Sequence, residues 1–321
     1  MKMMNYLKLP LGLLAIFTTL FFVSCSDDED DAPTKTDFGT APSTSLITTG
    51  VVQVRTEDTV RYHTIDFASA PYTVTIVETA DALILVDLGP APDFAVELEA
   101  YVSAIDKPGS VIITHNHGDH FGGAGSFSDL DFYAELTVAE QLNSTEDFTS
   151  LHPNKVIGVT GSQTIGGLDF TFDKVSNAET GENGYCYNEK YQLLFSGDLV
   201  YNLSHPYLRE YTPNLGEDEI DNWLAGLAVL KSKFSNYSHL FVGHNGSRTD
   251  VAKAIDENIA YLNDAQGLIK GTKLTSEGTT ATTQQQVIDE LQLLYPTYTE
   301  GGLFLSLPEA FFPGDPGADW F

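Results

Sequence analysis

Sulfur and positive charge are what this chain has least of. Two cysteines, Cys25 and Cys186, in 321 residues allow at most one disulfide, and none if Cys25 is modified. Sixteen Lys and Arg stand against 45 Asp and Glu, a net charge of −29 spread through the whole chain. Such a field repels polyanions at long range, so a nucleic-acid partner is not expected. Long apolar runs are also scarce. The stretch from Leu9 to Val23 falls short of the ~20 residues a membrane-spanning helix needs. No internal repeat shows at a fixed period.

Lys2 and Lys8 precede that apolar stretch, and Val23-Ser24-Cys25 closes it, which predicts a secretion signal over residues 1–25. Cys25 resembles the lipidated cysteine of bacterial lipoproteins, with Phe22 where leucine is commonest. The implied location is outside the cytoplasm, lipid-anchored to the outer membrane of a Gram-negative bacterium. A cleaved signal with an incidental cysteine is the alternative. Residues 26–45 begin with Ser26-Asp27-Asp28-Glu29-Asp30-Asp31, contain Pro33 and Pro42, and read as an acidic flexible tether. The remainder, 46–321, is about 275 residues, enough for one substantial core and a single domain.

The richest chemistry lies in His115-Asn116-His117-Gly118-Asp119-His120, after the apolar run Val111-Ile112-Ile113-Thr114. That run reads as a buried strand, so the polar groups fan out from its C-terminal end, where open α/β sheets usually place their chemistry. Three imidazoles and a carboxylate so close together suit a metal, zinc first, with iron or manganese as alternatives. On an extended loop, alternate residues can face one centre while their neighbours face a second. A histidine-rich surface loop is the bland alternative. Two further strand-like runs end in candidate ligands: Leu193-Leu194-Phe195 leads to Ser196-Gly197-Asp198, and Leu240-Phe241-Val242 leads to Gly243-His244.

Together these motifs resemble the metallo-β-lactamase superfamily of binuclear hydrolases, over roughly residues 46 to 270. The resemblance implies an α/β fold, a four-layer αββα sandwich in one domain, and two metal ions. It assigns His115 and His117 to the first ion, Asp119, His120 and His244 to the second, and Asp198 as a bridge. Where most members have a histidine as third ligand to the first ion, this chain has Ala178-Glu179-Thr180-Gly181-Glu182, and no histidine occurs between His152 and His205. Glu179, nineteen residues before Asp198, is the expected replacement, at a spacing similar to the alkylsulfatase branch. Glu182 is the fallback, and a solvated loop acid with a lost ligand is the third reading.

Strands are expected at Val51–Val54, Tyr72–Val77, Ala82–Val86, Val156–Thr160, Gln163–Ile165 and Leu168–Val175, with Tyr185-Cys186-Tyr187 in another. Helices are expected at Pro92–Ile105, Glu135–Leu142, Asp218–Leu230, Asp250–Leu262 and around Val287–Leu294, each with an apolar stripe at helical spacing. The Phe-, Pro- and Gly-rich end, Gly301 to Phe321, covers the core or lines the site mouth.

The expected activity is hydrolysis by a metal-bridging hydroxide, with Asp119 also relaying a proton to the leaving group as catalytic acid. The substrate is a small molecule. An aspartate at position 198, where metallo-β-lactamases proper generally carry cysteine or serine, points to a small carboxylic ester or lactone. Sulfate or phosphate ester hydrolysis is the runner-up. A non-catalytic metal-binding lipoprotein and an iron-dependent oxygenase are the readings from other classes. For substrate contacts, the loop after Asp198 offers His205, and Arg248 could pair with an anion. A structural hydrogen bond for His205 and a surface ion pair for Arg248 are the alternatives.

Overall fold

A computed structural model describes residues 35–67, 72–90, 92–208 and 218–299. The predicted signal and Cys25, the acidic run and the chain's end at 301–321 lie outside the described residues. Two compact units divide the chain at Thr34 and Lys35. The second carries everything described below. Among the described residues no helix is long and apolar enough to cross a membrane.

The elements run β1 (Gly50–Glu57), β2 (Val60–Phe67), β3 (Thr73–Glu78), β4 (Leu83–Val86), α1 (Pro92–Ser103), β5 (Gly109–Ile112), α2 (Gly118–Phe121), β6 (Asp131–Glu135), α3 (Leu136–Ser144), α4 (Glu146–Leu151) and β7 (Ile157–Val159). The second half runs β8 (Gly161–Ile165), β9 (Leu168–Ser176), β10 (Glu182–Asn188), β11 (Leu193–Phe195), α5 (Asp218–Phe234), β12 (His239–Phe241), β13 (Ser247–Arg248), α6 (Val251–Ile269) and α7 (Gln284–Leu294). One sheet orders its strands from β1 to β7 in sequence, antiparallel through β4 and parallel from β4 to β7. The other orders them β13-β12-β11-β10-β9-β8.

Alternation along the central strands shows how the layers form. Leu83 and Leu85 of β4 and Val111 of β5 join one apolar cluster with Leu98 and Tyr101 of α1, while Ile84, Val86 and Ile112 join a second. That second cluster also holds Phe170, Cys186, Phe195 and Phe241 from the other sheet and is the seam between the sheets. Leu194 and Leu240 point the opposite way, into a third cluster with Trp223, Leu227, Ile255, Leu262 and Val287 from α5, α6 and α7. Strands covered on both faces need continuous apolar runs, as Leu83–Val86 and Leu193–Phe195 have. The four-layer αββα sandwich expected from sequence is therefore the observed fold.

Several elements differ from the expectation. β2 was not anticipated, because Val60-Arg61-Tyr62-His63-Thr64-Ile65-Asp66-Phe67 reads as half polar. Its polar side chains are nevertheless buried. Arg61 and His63 both reach Glu78 of β3, at 2.7 and 3.0 Å, and Lys107 closes the group at 2.7 Å. β6 and α4 were likewise missed as short segments, and α6 runs to Ile269, well past Leu262. Part of the segment read as tether makes contacts with the sheet. Arg61 donates to the carbonyls of Phe38 and Gly39 at 2.6 and 3.2 Å and lies over the Phe38 ring, so the segment from Lys35 belongs to the second unit.

Candidate metal centre

The site is built at the C-terminal ends of β4, β5, β11 and β12. Asp87 closes β4 in the left-handed region, at φ 59°, and organises the first motif from beneath. Its Oδ1 accepts from the Thr114 N–H at 2.9 Å, and its Oδ2 accepts from the Thr114 hydroxyl at 2.9 Å. The same Oδ2 lies 2.8 Å from Nδ1 of His120, which a carboxylate partner makes the protonated nitrogen. With its proton given to Asp87, the Thr114 hydroxyl accepts from Nδ1 of His115 at 3.0 Å. Both imidazoles thus present Nε2 to the centre, the arrangement in which an outer hydrogen bond fixes a ligating histidine.

Two groups of donor atoms result, each within 4.8 Å: His115, His117, Glu179 and Asp198, and then Asp119, His120, Asp198 and His244. Asp198 belongs to both. Its Oδ1 is 3.3 Å from Nε2 of His120, and its Oδ2 is 3.0 Å from Nε2 of His244 and 4.0 Å from Nε2 of His115. Asp119 Oδ2 stands 3.5 and 3.4 Å from His120 and His244. Glu179 comes from the turn between β9 and β10, where the Asn177 N–H bonds to the Gly181 carbonyl. It lies 2% exposed, 3.5 Å from His117 and 3.8 Å from His115. Glu182 is turned away, held by Lys174 at 2.7 Å and Ser176 at 2.8 Å. Of the two acids, only Glu179 is placed beside the histidines.

This crowding constrains the backbone at two glycines. A Cβ on Gly243 would stand 2.0 Å from Asp198 Oδ1, and one on Gly197, itself at φ 50°, would stand 2.7 Å from the Thr114 hydroxyl.

The donors fit divalent ions. His120 Nε2 and Asp198 Oδ1 are buried and make no hydrogen bond among the described residues, a costly state unless a cation lies between such groups. Burial opposes ionisation of Asp119 and Asp198, yet the adjacent His120 and His244 hold both carboxyls well below their ordinary range. Imidazole with carboxylate suits zinc, iron or manganese.

The remaining candidates lie elsewhere. His205 is buried, its Nδ1 3.0 Å from the Tyr261 hydroxyl and its ring against Tyr298. Burial pushes its imidazole down to about 4. Arg248 is occupied by Asp250 at 2.6 and 2.8 Å, Glu257 at 2.9 Å and Asn202 at 2.9 Å. The alternatives weighed for these two residues, a structural hydrogen bond at His205 and an ion pair at Arg248, are both present. His63 bonds with Tyr101 and Glu78, and His239 pairs with Glu57. His152 packs on Phe132, with ring centroids 3.9 Å apart.

Asp87, Thr114 and Tyr201 are not among the candidates read from the sequence. Tyr201 donates its hydroxyl to Asp198 Oδ2 at 2.8 Å and stacks on His244. The available signal was position: Asp87 and Thr114 each end a strand at the site edge, and Tyr201 lies three residues beyond Asp198.

Two packed sheets between helical layers, with paired histidine and carboxylate clusters at the strand ends, define the metallo-hydrolase class of folds. The chain belongs to the metallo-beta-lactamase superfamily, whose family model matches residues 70–264. Among curated proteins it is similar to a hydroxyacylglutathione hydrolase of Bdellovibrio bacteriovorus, 29% identical over 143 residues, 42% of this chain and 49% of that protein. It is also similar to metallo-beta-lactamase IND-1 of Chryseobacterium indologenes, 27% identical over 138 residues, 42% of this chain and 55% of that one. The chain thus spans about half the length of these relatives. Among solved structures, a metallo-beta-lactamase from Pontibacter korlensis aligns with a TM-score of 0.52 at 18% identity, covering 66% of this chain and 99% of that one. The DIM-1 metallo-beta-lactamase aligns with a TM-score of 0.52 at 18% identity, covering 67% and 98%. At such identities the structural likeness is one of fold.

Proposed function

We propose that the chain is a binuclear metal-dependent hydrolase of a small carboxylic ester or lactone, acting outside the cytoplasm and anchored through Cys25. The observation that carries this reading is the position of Asp198, shared by both donor groups: Oδ1 lies 3.3 Å from His120, and Oδ2 lies 3.0 Å from His244 and 4.0 Å from His115. His115, His117 and Glu179 would hold the first ion and Asp119, His120 and His244 the second, with Asp198 shared by the two donor groups. Zinc is the expected metal, with iron or manganese as alternatives. When bound, such a pair supplies a hydroxide near neutral pH and polarises the substrate's oxygen.

Asp119 is the proton carrier. Its side chain is 20% exposed where that of Asp198 is 2%, so it is the more accessible of the two carboxylates and can pass a proton to a departing alkoxide. Asp87 and Thr114 hold the imidazoles of His120 and His115 in one tautomer, which limits rearrangement during turnover. The relatives named above are both hydrolases, which supports the reaction class.

Glu179 sustains the second reading, a sulfate or phosphate ester hydrolase, because a carboxylate in the first cluster is similar to the alkylsulfatase branch. Proton release by the metal-loaded chain against a lactone and a matched alkyl sulfate, with a chelated control and metal content measured in parallel, separates the two. Chelator-sensitive lactone turnover is expected. Turnover of the sulfate alone moves the assignment to the second reading. Silence on both, in a chain holding two ions, removes the ester hydrolase reading and leaves the binding protein or oxygenase.

A further inference from the structure

We propose that three asparagines, Asn202, Asn245 and Asn258, form a clamp that joins the loop carrying Asp198 to the loop carrying His244, presetting the second metal position more than the first. This rests on the binuclear reading above.

Asn202 Nδ2 donates to the Asn245 carbonyl at 2.5 Å, and Asn245 Nδ2 donates to the Asn202 carbonyl at 2.6 Å. The pair is reciprocal and ties the residue after His244 to the loop following Asp198. The Asn202 N–H adds a bond to the His244 carbonyl at 3.4 Å. Arg248 donates to Asn202 Oδ1 at 2.9 Å, and since a guanidinium can only donate, the Asn202 amide is oriented with its nitrogen toward Asn245. The residue expected to bind an anion therefore sets an amide's orientation.

Asn258 completes the clamp from α6. It is 4% exposed. Its Oδ1 accepts from the Tyr201 N–H at 2.9 Å, while its Nδ2 donates to the Tyr201 carbonyl at 2.8 Å and to the Ala254 carbonyl at 2.9 Å. One side-chain amide thus satisfies both backbone groups of Tyr201, as a neighbouring strand would. Held there, the Tyr201 hydroxyl donates to Asp198 Oδ2 at 2.8 Å, and its ring stacks on His244 with centroids 5.0 Å apart and planes 15° apart. One contact falls on His244, a ligand of the second cluster alone, and the other on Asp198, which the two clusters share. The first cluster has its own supports, with Thr114 holding His115 and the turn at Asn177–Gly181 presenting Glu179.

Asn258 is thus a positioning residue acting through Tyr201, and its support falls more heavily on the second metal position, which draws on both His244 and Asp198. The test is zinc affinity of the full chain in a competing chelator series, with metal per chain measured for Asn258→Ala, Asn202→Ala, Asn245→Gly, Tyr201→Phe and the double variant Tyr201→Phe/Asn258→Ala. The glycine at 245 removes the amide while tolerating the left-handed backbone there, at φ 68°. The expected result is a second-site affinity lowered about 10- to 100-fold, the usual effect of losing such an outer contact, with first-site affinity, which shares only Asp198, lowered less. Asn258→Ala should add little once the Tyr201 hydroxyl is gone, a non-additivity that general destabilisation does not produce. Should Asn258→Ala fail to fold by circular dichroism, the half-buried Asn202 and its partner Asn245 still decide the matter. Equal weakening of the two sites, or no change in the asparagine variants, overturns the clamp. A wild-type chain that never holds two zinc ions overturns the binuclear reading, and the clamp with it.

Discussion

Asp198 is the residue on which most of the site turns. Two clusters share it, so its removal takes a ligand from each, and the second cluster keeps only Asp119, His120 and His244. Asp198→Ala should lose the second ion and most activity together. Metal analysis that still finds two ions per chain would refute the bridge. Gly243 gives a stricter check on the geometry. A single added methyl group would stand 2.0 Å from Asp198 Oδ1 and 2.6 Å from His120 Cε1, so Gly243→Ala must displace one of them. Metal affinity should fall with little change in far-ultraviolet circular dichroism; unchanged affinity would show that the loop shifts without cost. At this scale sequence reasoning nominated residue types well, because the histidine motif is local. It ranked Glu179 above Glu182 on spacing alone, and the pairing of β9 with β10 is what turns Glu179 inward and Glu182 toward Lys174.

Among the elements, α5 does more than cover a sheet. Trp223 is fully buried, and its indole N–H donates to the Leu199 carbonyl at 2.9 Å, one residue beyond Asp198. Trp223→Phe keeps much of the apolar volume and loses the bond, which should cost about 1 kcal/mol. Trp223→Ala also opens a cavity and should cost about 3–5 kcal/mol. Urea midpoints at unchanged slope check both, and equal losses in the two variants would show that the hydrogen bond contributes more than the packing. Helices such as α1 and α5 were legible because their apolar stripes recur at helical spacing. β2 was not, because Arg61 and His63 are buried by partners on β3 and beyond, and a polar residue in sequence carries no sign of the charge it will meet.

For the whole molecule, acid response tests how that buried charge group supports the first sheet. Burial opposes ionisation of Glu78, but hydrogen bonds from His63, Lys107 and Arg61 bring its carboxyl down to about 2 from an ordinary 4.5. A depressed folded value means stability that is fully present above about 4.5 and is lost as pH falls toward 2. Urea unfolding between pH 5 and pH 2.5 should show a decline that Glu78→Gln lacks, of order 2 kcal/mol once solvent screening is allowed for. Parallel curves for the two proteins would remove Glu78 from the acid response. The same group holds Phe38 and Gly39 through Arg61, so the chain meets the domain earlier than the polar composition of residues 26–45 implied.

The sequence alone determined the fold and the principal donors. Apolar alternation and strand-end motifs depend on residues close together in the chain, and an apolar run ending in histidine or aspartate carries its own meaning. Tertiary structure alone decided that Asp198 faces both clusters, that Glu179 rather than Glu182 joins the histidines, and that His205 and Arg248 are occupied elsewhere. Each of those outcomes is set by contacts between residues far apart in the chain, such as Asn258 with Tyr201 or Asp87 with His120, and packing the two sheets is what brings such groups within a hydrogen bond's length.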